Sequence, residues 1–179
     1  MESQLPALFY QAFGISLLVV IVCGILFGIV YLIRLFIKFK KLYQTKSIVN
    51  LSLMIMCVLI TFASWILNFG WLRFAFTFCG IPFVFTVLFV MSNSKAILHI
   101  AESKKLKVYT VITYVTYLCS YLFLPDGGDV GPMYVFFGLI QNNTIAHIFY
   151  TLFIISFAAY ITFTILQLKE VRKINKDRQ

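Results

Sequence analysis

Two aspartates and a histidine are the residues of this chain with chemistry to offer outside its basic segments. Asp126 and Asp129 stand in Pro125-Asp126-Gly127-Gly128-Asp129-Val130-Gly131-Pro132, and His147 follows at the start of the last apolar run. Carboxylates near an imidazole are groups that general acid–base catalysis uses, and two carboxylates are the beginning of a cation site. Neither idea goes far on sequence grounds. Calcium takes about six to eight oxygens, more than two carboxylates supply, so no metal site is assigned. Proline fixes φ and glycine admits positive φ, so Pro125, Asp126, Gly127, Gly128 and Asp129 are read first as a non-helical polar turn, with no lysine or arginine close in sequence. His147 is read as a satisfied helix-start histidine, ahead of the alternative that it titrates with Asp126 or Asp129. Cys23, Cys57, Cys79 and Cys119 all lie in apolar stretches with no CxxC pair, which makes them small buried apolar residues. HExxH, GxSxG and Walker signatures are absent from the sequence. No catalytic residue and no cofactor is assigned, and the chain is not read as an enzyme. A lipid-active enzyme built on Asp126, Asp129 and His147 is the last-ranked option.

The elements that must position these residues are apolar. Of 179 residues, 61% are hydrophobic and 12% charged, and the mean hydropathy is +0.95. Soluble domains carry about 25% charged residues, so a membrane is the solvent this composition fits. Apolar runs at 10–33, 48–68, 73–92, 108–124 and 145–168 have the length that crosses a hydrocarbon layer of about 30 Å. The expected fold is an all-α, polytopic transmembrane helical bundle of about five spans, with 1–179 as a single transmembrane domain. Residues 1–9 lack the basic region of a signal peptide. Asn68 to Arg73 turn the chain between the second and third runs, with Trp65 and Trp71 as interfacial anchors. Pro82 predicts a kink in the third. Within an outer loop at 125–144, Met133 to Ile140 is apolar but too short to span, and forms a short interfacial or re-entrant segment on the outer side. Asn142-Asn143-Thr144 matches a glycosylation sequon.

Charge sets the expected orientation. All of the 15 lysines and arginines except Arg73 fall in basic segments at 34–47, 93–107 and 169–179. The positive-inside rule places these in the cytoplasm, with the amino terminus outside and the carboxyl terminus cytoplasmic. The net charge of +9 is then explained by topology and anionic lipid head groups, and direct nucleic-acid binding is not assigned. Lys38, Lys40, Lys41, Lys104, Lys105 and Lys107 are the expected contacts to lipid or to a protein partner. Ala96, Ile97, Ile100 and Ala101 make an apolar face beside them, and Leu168 with Val171 begin another. In the fourth run Thr110, Tyr114, Tyr117 and Tyr121 form one stripe and Thr113, Thr116 and Ser120 an adjacent one, which predicts packing against other helices ahead of a water-lined path. Gly24 and Gly28 form a GxxxG pair that brings helices close, and a homo-oligomer is expected. No Asp, Glu, Lys or Arg lies near the centre of a run, which argues against ion-coupled transport.

The run Phe123-Leu124-Pro125-Asp126-Gly127-Gly128-Asp129-Val130-Gly131, then Phe136-Phe137-Gly138-Leu139-Ile140, before a last span and a basic tail, resembles small membrane proteins of bacterial anti-phage defence loci, in particular the membrane subunit of the Kiwa system. That subunit is described with four spans against the five counted here, and the side of the amino terminus depends on the difference. The resemblance implies an oligomeric inner-membrane sensor working with a cytoplasmic effector subunit that engages DNA. Together these readings lead to an expectation of a non-enzymatic membrane subunit or sensor in a bacterial inner (plasma) membrane, one that oligomerises and couples the membrane to a cytoplasmic partner. A small passive channel or transporter is the alternative.

Overall fold

The computed structural model describes Val30 and residues 45–68, 70–127 and 133–178, and Gln44–Gln179 forms one compact unit. The first expected span, with Gly24 and Gly28, lies outside the described residues apart from Val30, as do Lys38, Lys40 and Lys41. Five helices and one small hairpin follow: α1 Thr45–Leu67, α2 Trp71–Phe78, α3 Ile81–His99, α4 Lys104–Leu122, β1 Tyr134–Val135, β2 Ile140–Gln141 and α5 Asn143–Lys176. Three stretches, Ile48–Leu67, Ile81–His99 and the 34 residues of Asn143–Lys176, are long and apolar enough to cross a membrane.

The third apolar run is cut in two. Helix α2 ends at Phe78, Gly80 takes φ +68°, and α3 restarts at Ile81 with Pro82 in its first turn. The kink expected at Pro82 is thus a full break. A glycine reaches the left-handed region without a Cβ penalty, and proline is tolerated in a first turn, where its missing N–H has no helical partner to lose.

Helix α4 is the centre of the described bundle. Thr110, Tyr114, Tyr117 and Tyr121 of the first expected stripe are buried, as are Thr113 and Ser120 of the second. Thr116 of the second is half-buried, and the hydroxyls of Thr113, Thr116 and Ser120 bond carbonyls of their own helix. The opposite side shows Val108, Val111 and Val115 to the surroundings. Tyr117 is 0% exposed, stacks on Phe89 at 3.9 Å between ring centres, and bonds Thr86 at 2.9 Å and Thr61 at 3.3 Å through its hydroxyl. Tyr114 donates to the Asn50 carbonyl and Tyr121 to that of Pro82. From α5, Tyr160 donates to the carbonyl of Phe85 at 2.8 Å. Each of these four tyrosine hydroxyls thereby has a hydrogen-bond partner, which a low-dielectric interior requires.

A second polar group was not foreseen. Gln167 of α5 donates to Asn93 of α3 and to Thr110 of α4, both at 2.9 Å, joining three helices. Single amides in apolar runs give no charge signal in sequence, and only the three-dimensional register brings these together.

The segment after the polar turn is a hairpin, the only strand pair among the described residues. Tyr134 pairs with Gln141 and Val135 with Ile140, while Asp126 bridges to Tyr134. Its tight turn places Phe136, Phe137 and Gly138 at positive φ. For phenylalanine that is costly, and the ring of Phe136 is held in place by Phe123 and Phe149, at 5.5 and 4.9 Å.

Candidate functional site

Charge is segregated along the bundle. One end gathers the amino terminus of α4 and the carboxyl termini of α3 and α5, tied by a core of Ala96, Leu106 and Val171 with Ile174 against it. The other gathers the end of α1, all of α2 and the turn at Pro125–Gly127, held by a clasp of Arg73 and Asp126.

The clasp begins with a helix that has no cap of its own. Gly70 occupies the N-cap of α2 and offers no side chain, so the first N–H groups of the helix need an acceptor from elsewhere. Asp126 supplies it. Its Oδ2 accepts from the backbone N–H of Arg73 at 2.8 Å and Gly70 at 3.1 Å, and its Oδ1 from Leu72 at 3.1 Å and Gly127 at 2.9 Å. A Cβ on residue 70 would collide with Asp126 Oδ1 and sit 2.8 Å from the Gly127 carbonyl oxygen, so only glycine allows this approach. The negative carboxylate also suits the positive end of the helix dipole.

Arg73 answers from the same helix. It is fully buried, with Nε 3.8 Å from Asp126 Oδ2. Nη1 donates to the Ser64 carbonyl, and Nη2 donates to those of Tyr121 at 3.1 Å and Leu124 at 2.8 Å. The guanidinium thus ties the last turns of α1 and α4. It also lies 5.2 Å from the centre of the Trp65 ring, whose N–H donates to Thr77. Asp126 supplies the counter-ion that so fully buried a charge requires.

These contacts add to the sequence reading of Asp126 as part of a polar turn. Asp126 is 4% exposed and its oxygens are taken by backbone N–H groups. It is a helix cap and counter-ion. Pro125 and Gly127 flank it in the described chain, whereas Gly128 and Asp129 lie outside the described residues. His147 is exposed on α5. Asn142, the first residue of the sequon, caps α5 by accepting from Ile145 N–H at 3.2 Å. Arg73 was the residue missed. Its one sequence signal is that it stands apart from all the other cations, on the side of the aspartates.

At the basic end, Lys104, Lys105 and Lys107 are exposed at the start of α4. The connection leading to them is fixed. Ser103 caps α4 through Leu106 N–H and donates to Glu170 of α5 at 2.7 Å. Glu102 meets His99 at 3.0 Å and Arg178 at 2.8 Å. The apolar faces expected to be free for docking are in part consumed here, since Ala96, Ile97 and Val171 are buried. What this end shows to its surroundings is cationic, with Lys169, Arg172, Lys173 and Lys176 exposed on α5. No protein-family model, curated protein or solved structure matches the chain.

Proposed function

We propose that this protein is a non-enzymatic membrane subunit or sensor that oligomerises and couples a bacterial inner membrane to an acidic cytoplasmic protein partner, in anti-phage defence. In this reading five spans place the amino terminus outside, the clasp and hairpin at the outer interface, and the basic end in the cytoplasm. The observation that carries it is the fixed cationic end. Ser103, Glu102 and Glu170 hold the α3–α4 connection against α5, so that Lys104, Lys105 and Lys107 project from a braced surface and not from a free tail. A braced array of like charge favours specific association, because less side-chain and loop freedom is lost on binding.

Helix α5 adds reach. Its 34 residues extend about 51 Å, against a hydrocarbon layer of about 30 Å, so it stands clear of the bilayer while still tied to α3 and α4. The passive-channel alternative would have to run through the hydroxyl stripe of α4, and that stripe is filled by stacked rings and paired hydroxyls.

Reversal of Lys104, Lys105 and Lys107 to glutamate tests the proposal. Co-purification of a cytoplasmic partner, sought among products of neighbouring genes, is lost while the protein still inserts and keeps its thermal stability. Ion conductance by the purified protein in a bilayer, changed by Tyr117→Ala and with no partner recovered, would replace this reading with the channel.

A further inference from the structure

Helices α3 and α5 both start at the clasp end and finish at the basic end, so they run parallel. They meet through Phe85 against Phe157 and Tyr160, and through Ala96 against Val171. In parallel helices the position before a contact residue on one and the position after it on the other flank the same seam. On α3 those positions are Val84 and Lys95, and on α5 they include Ile161 and Arg172, with Leu88 and Ile165 one helical turn beyond Val84 and Ile161 on the same side. The four apolar ones are exposed, at 52%, 42%, 37% and 48%. Each helix therefore carries an open apolar stripe that ends, at the basic end, in an exposed cation.

The two cations share a cleft. A cavity of about 320 Å3 is lined by Lys95 and His99 from α3 and by Leu168, Val171, Arg172 and Asn175 from α5. The nearby carboxylates are engaged elsewhere: Glu102 with His99 and Arg178, and Glu170 with Ser103. Among the described residues, neither Lys95 nor Arg172 has a carboxylate partner.

We infer that this cleft binds the phosphate of an anionic phospholipid, with the acyl chains lying along the two stripes. Arginine offers a planar fork of donors to phosphate oxygens, lysine adds a mobile point charge, and the amide of Asn175 is available to a glycerol head group. Basic pockets between membrane helices at the cytoplasmic surface suit lipid head groups for the same reason. The apolar stripes make the occupant a lipid rather than free phosphate. The site rests only on membrane insertion, is distinct from Lys104, Lys105 and Lys107, and stands or falls independently of a protein partner.

The test is native mass spectrometry of the full chain in mild detergent, titrated with phosphatidylglycerol, with phosphatidylethanolamine, or with inorganic phosphate. Phosphatidylglycerol is retained at roughly tenfold lower concentration than phosphatidylethanolamine, and millimolar phosphate does not displace it. Lys95→Gln with Arg172→Gln lowers its retention by roughly thirtyfold, whereas the exchange Lys95→Arg with Arg172→Lys keeps it, and Lys173→Gln with Lys176→Gln changes it by less than about threefold. Equal retention of both lipids, displacement by phosphate, or an equal loss in the Lys173 and Lys176 variant would each overturn the site.

Discussion

At 3.8 Å, Arg73 Nε and Asp126 Oδ2 are beyond hydrogen-bond reach, while both side chains bond the backbone at 2.8 to 3.1 Å. Each residue therefore holds main chain first and its partner second. Asp126→Asn removes the charge and turns one donor group toward N–H groups, leaving Arg73 buried without a counter-ion. Arg73→Met leaves the carbonyls of Ser64, Tyr121 and Leu124 without their guanidinium donor. Breaking one side of a buried pair costs about 3–5 kcal/mol, so each variant should lose that much in chemical unfolding in detergent. Gly70→Ala should lower stability as well, because its Cβ meets backbone oxygen as well as side chain. A loss below about 1 kcal/mol in all three would mean that the clasp does not hold this end together. Little of this was legible in the sequence. The turn itself could be read from Pro125 and its glycines, but the bonds that join α2 to the turn and to the end of α4 link residues 48 to 56 positions apart, and local patterning carries no such information.

Among the elements, α4 was readable and α2 was not. A stripe of hydroxyls every three or four residues predicts a helix with one buried side, and Thr110, Tyr114, Tyr117 and Tyr121 are buried as that spacing requires. The break at Gly80 is different in kind. Apolar composition continues across it, so hydropathy alone joins α2 to α3, and the left-handed φ of Gly80 appears only when the backbone is built. The tyrosines also allow packing and hydrogen bonding to be separated. Tyr117→Phe keeps the stack on Phe89 and loses the bonds to Thr61 and Thr86. Inter-helical hydrogen bonds in membrane proteins contribute about 0.6 kcal/mol on average, so this variant should cost no more than about 1.7 kcal/mol. Tyr117→Ala removes the ring and opens a cavity, for which about 3–5 kcal/mol is expected. Thermal unfolding of the two variants in one detergent checks the difference, and equal losses would place the stability of α4 in its hydroxyls.

For the whole molecule, composition points to a membrane, and three stretches have the length and apolarity to cross one. Helix α4 falls outside that set because Lys104, Lys105 and Lys107 and its hydroxyls lower its hydropathy, yet its 19 residues match α3 in length. If α1, α3, α4 and α5 all cross, they alternate in direction, and the start of α1 lies at the basic end. The side of the amino terminus then counts the spans. A further crossing at 10–33 puts Glu2 on the clasp side, and its absence puts Glu2 with the lysines. Single cysteines at Glu2, Leu139 and Lys176, in a background with the four native cysteines replaced, separate these cases in intact cells. Leu139 is 81% exposed in the hairpin turn, and Lys176 is exposed at the end of α5, so neither position is hidden by packing. With five spans and a cytoplasmic basic end, an impermeant maleimide labels Glu2→Cys and Leu139→Cys but not Lys176→Cys until the membrane is opened. Labelling at Leu139→Cys alone would reduce the count to four. Labelling at Lys176→Cys would invert the orientation, taking the braced lysines away from the cytoplasm and the partner proposal with them.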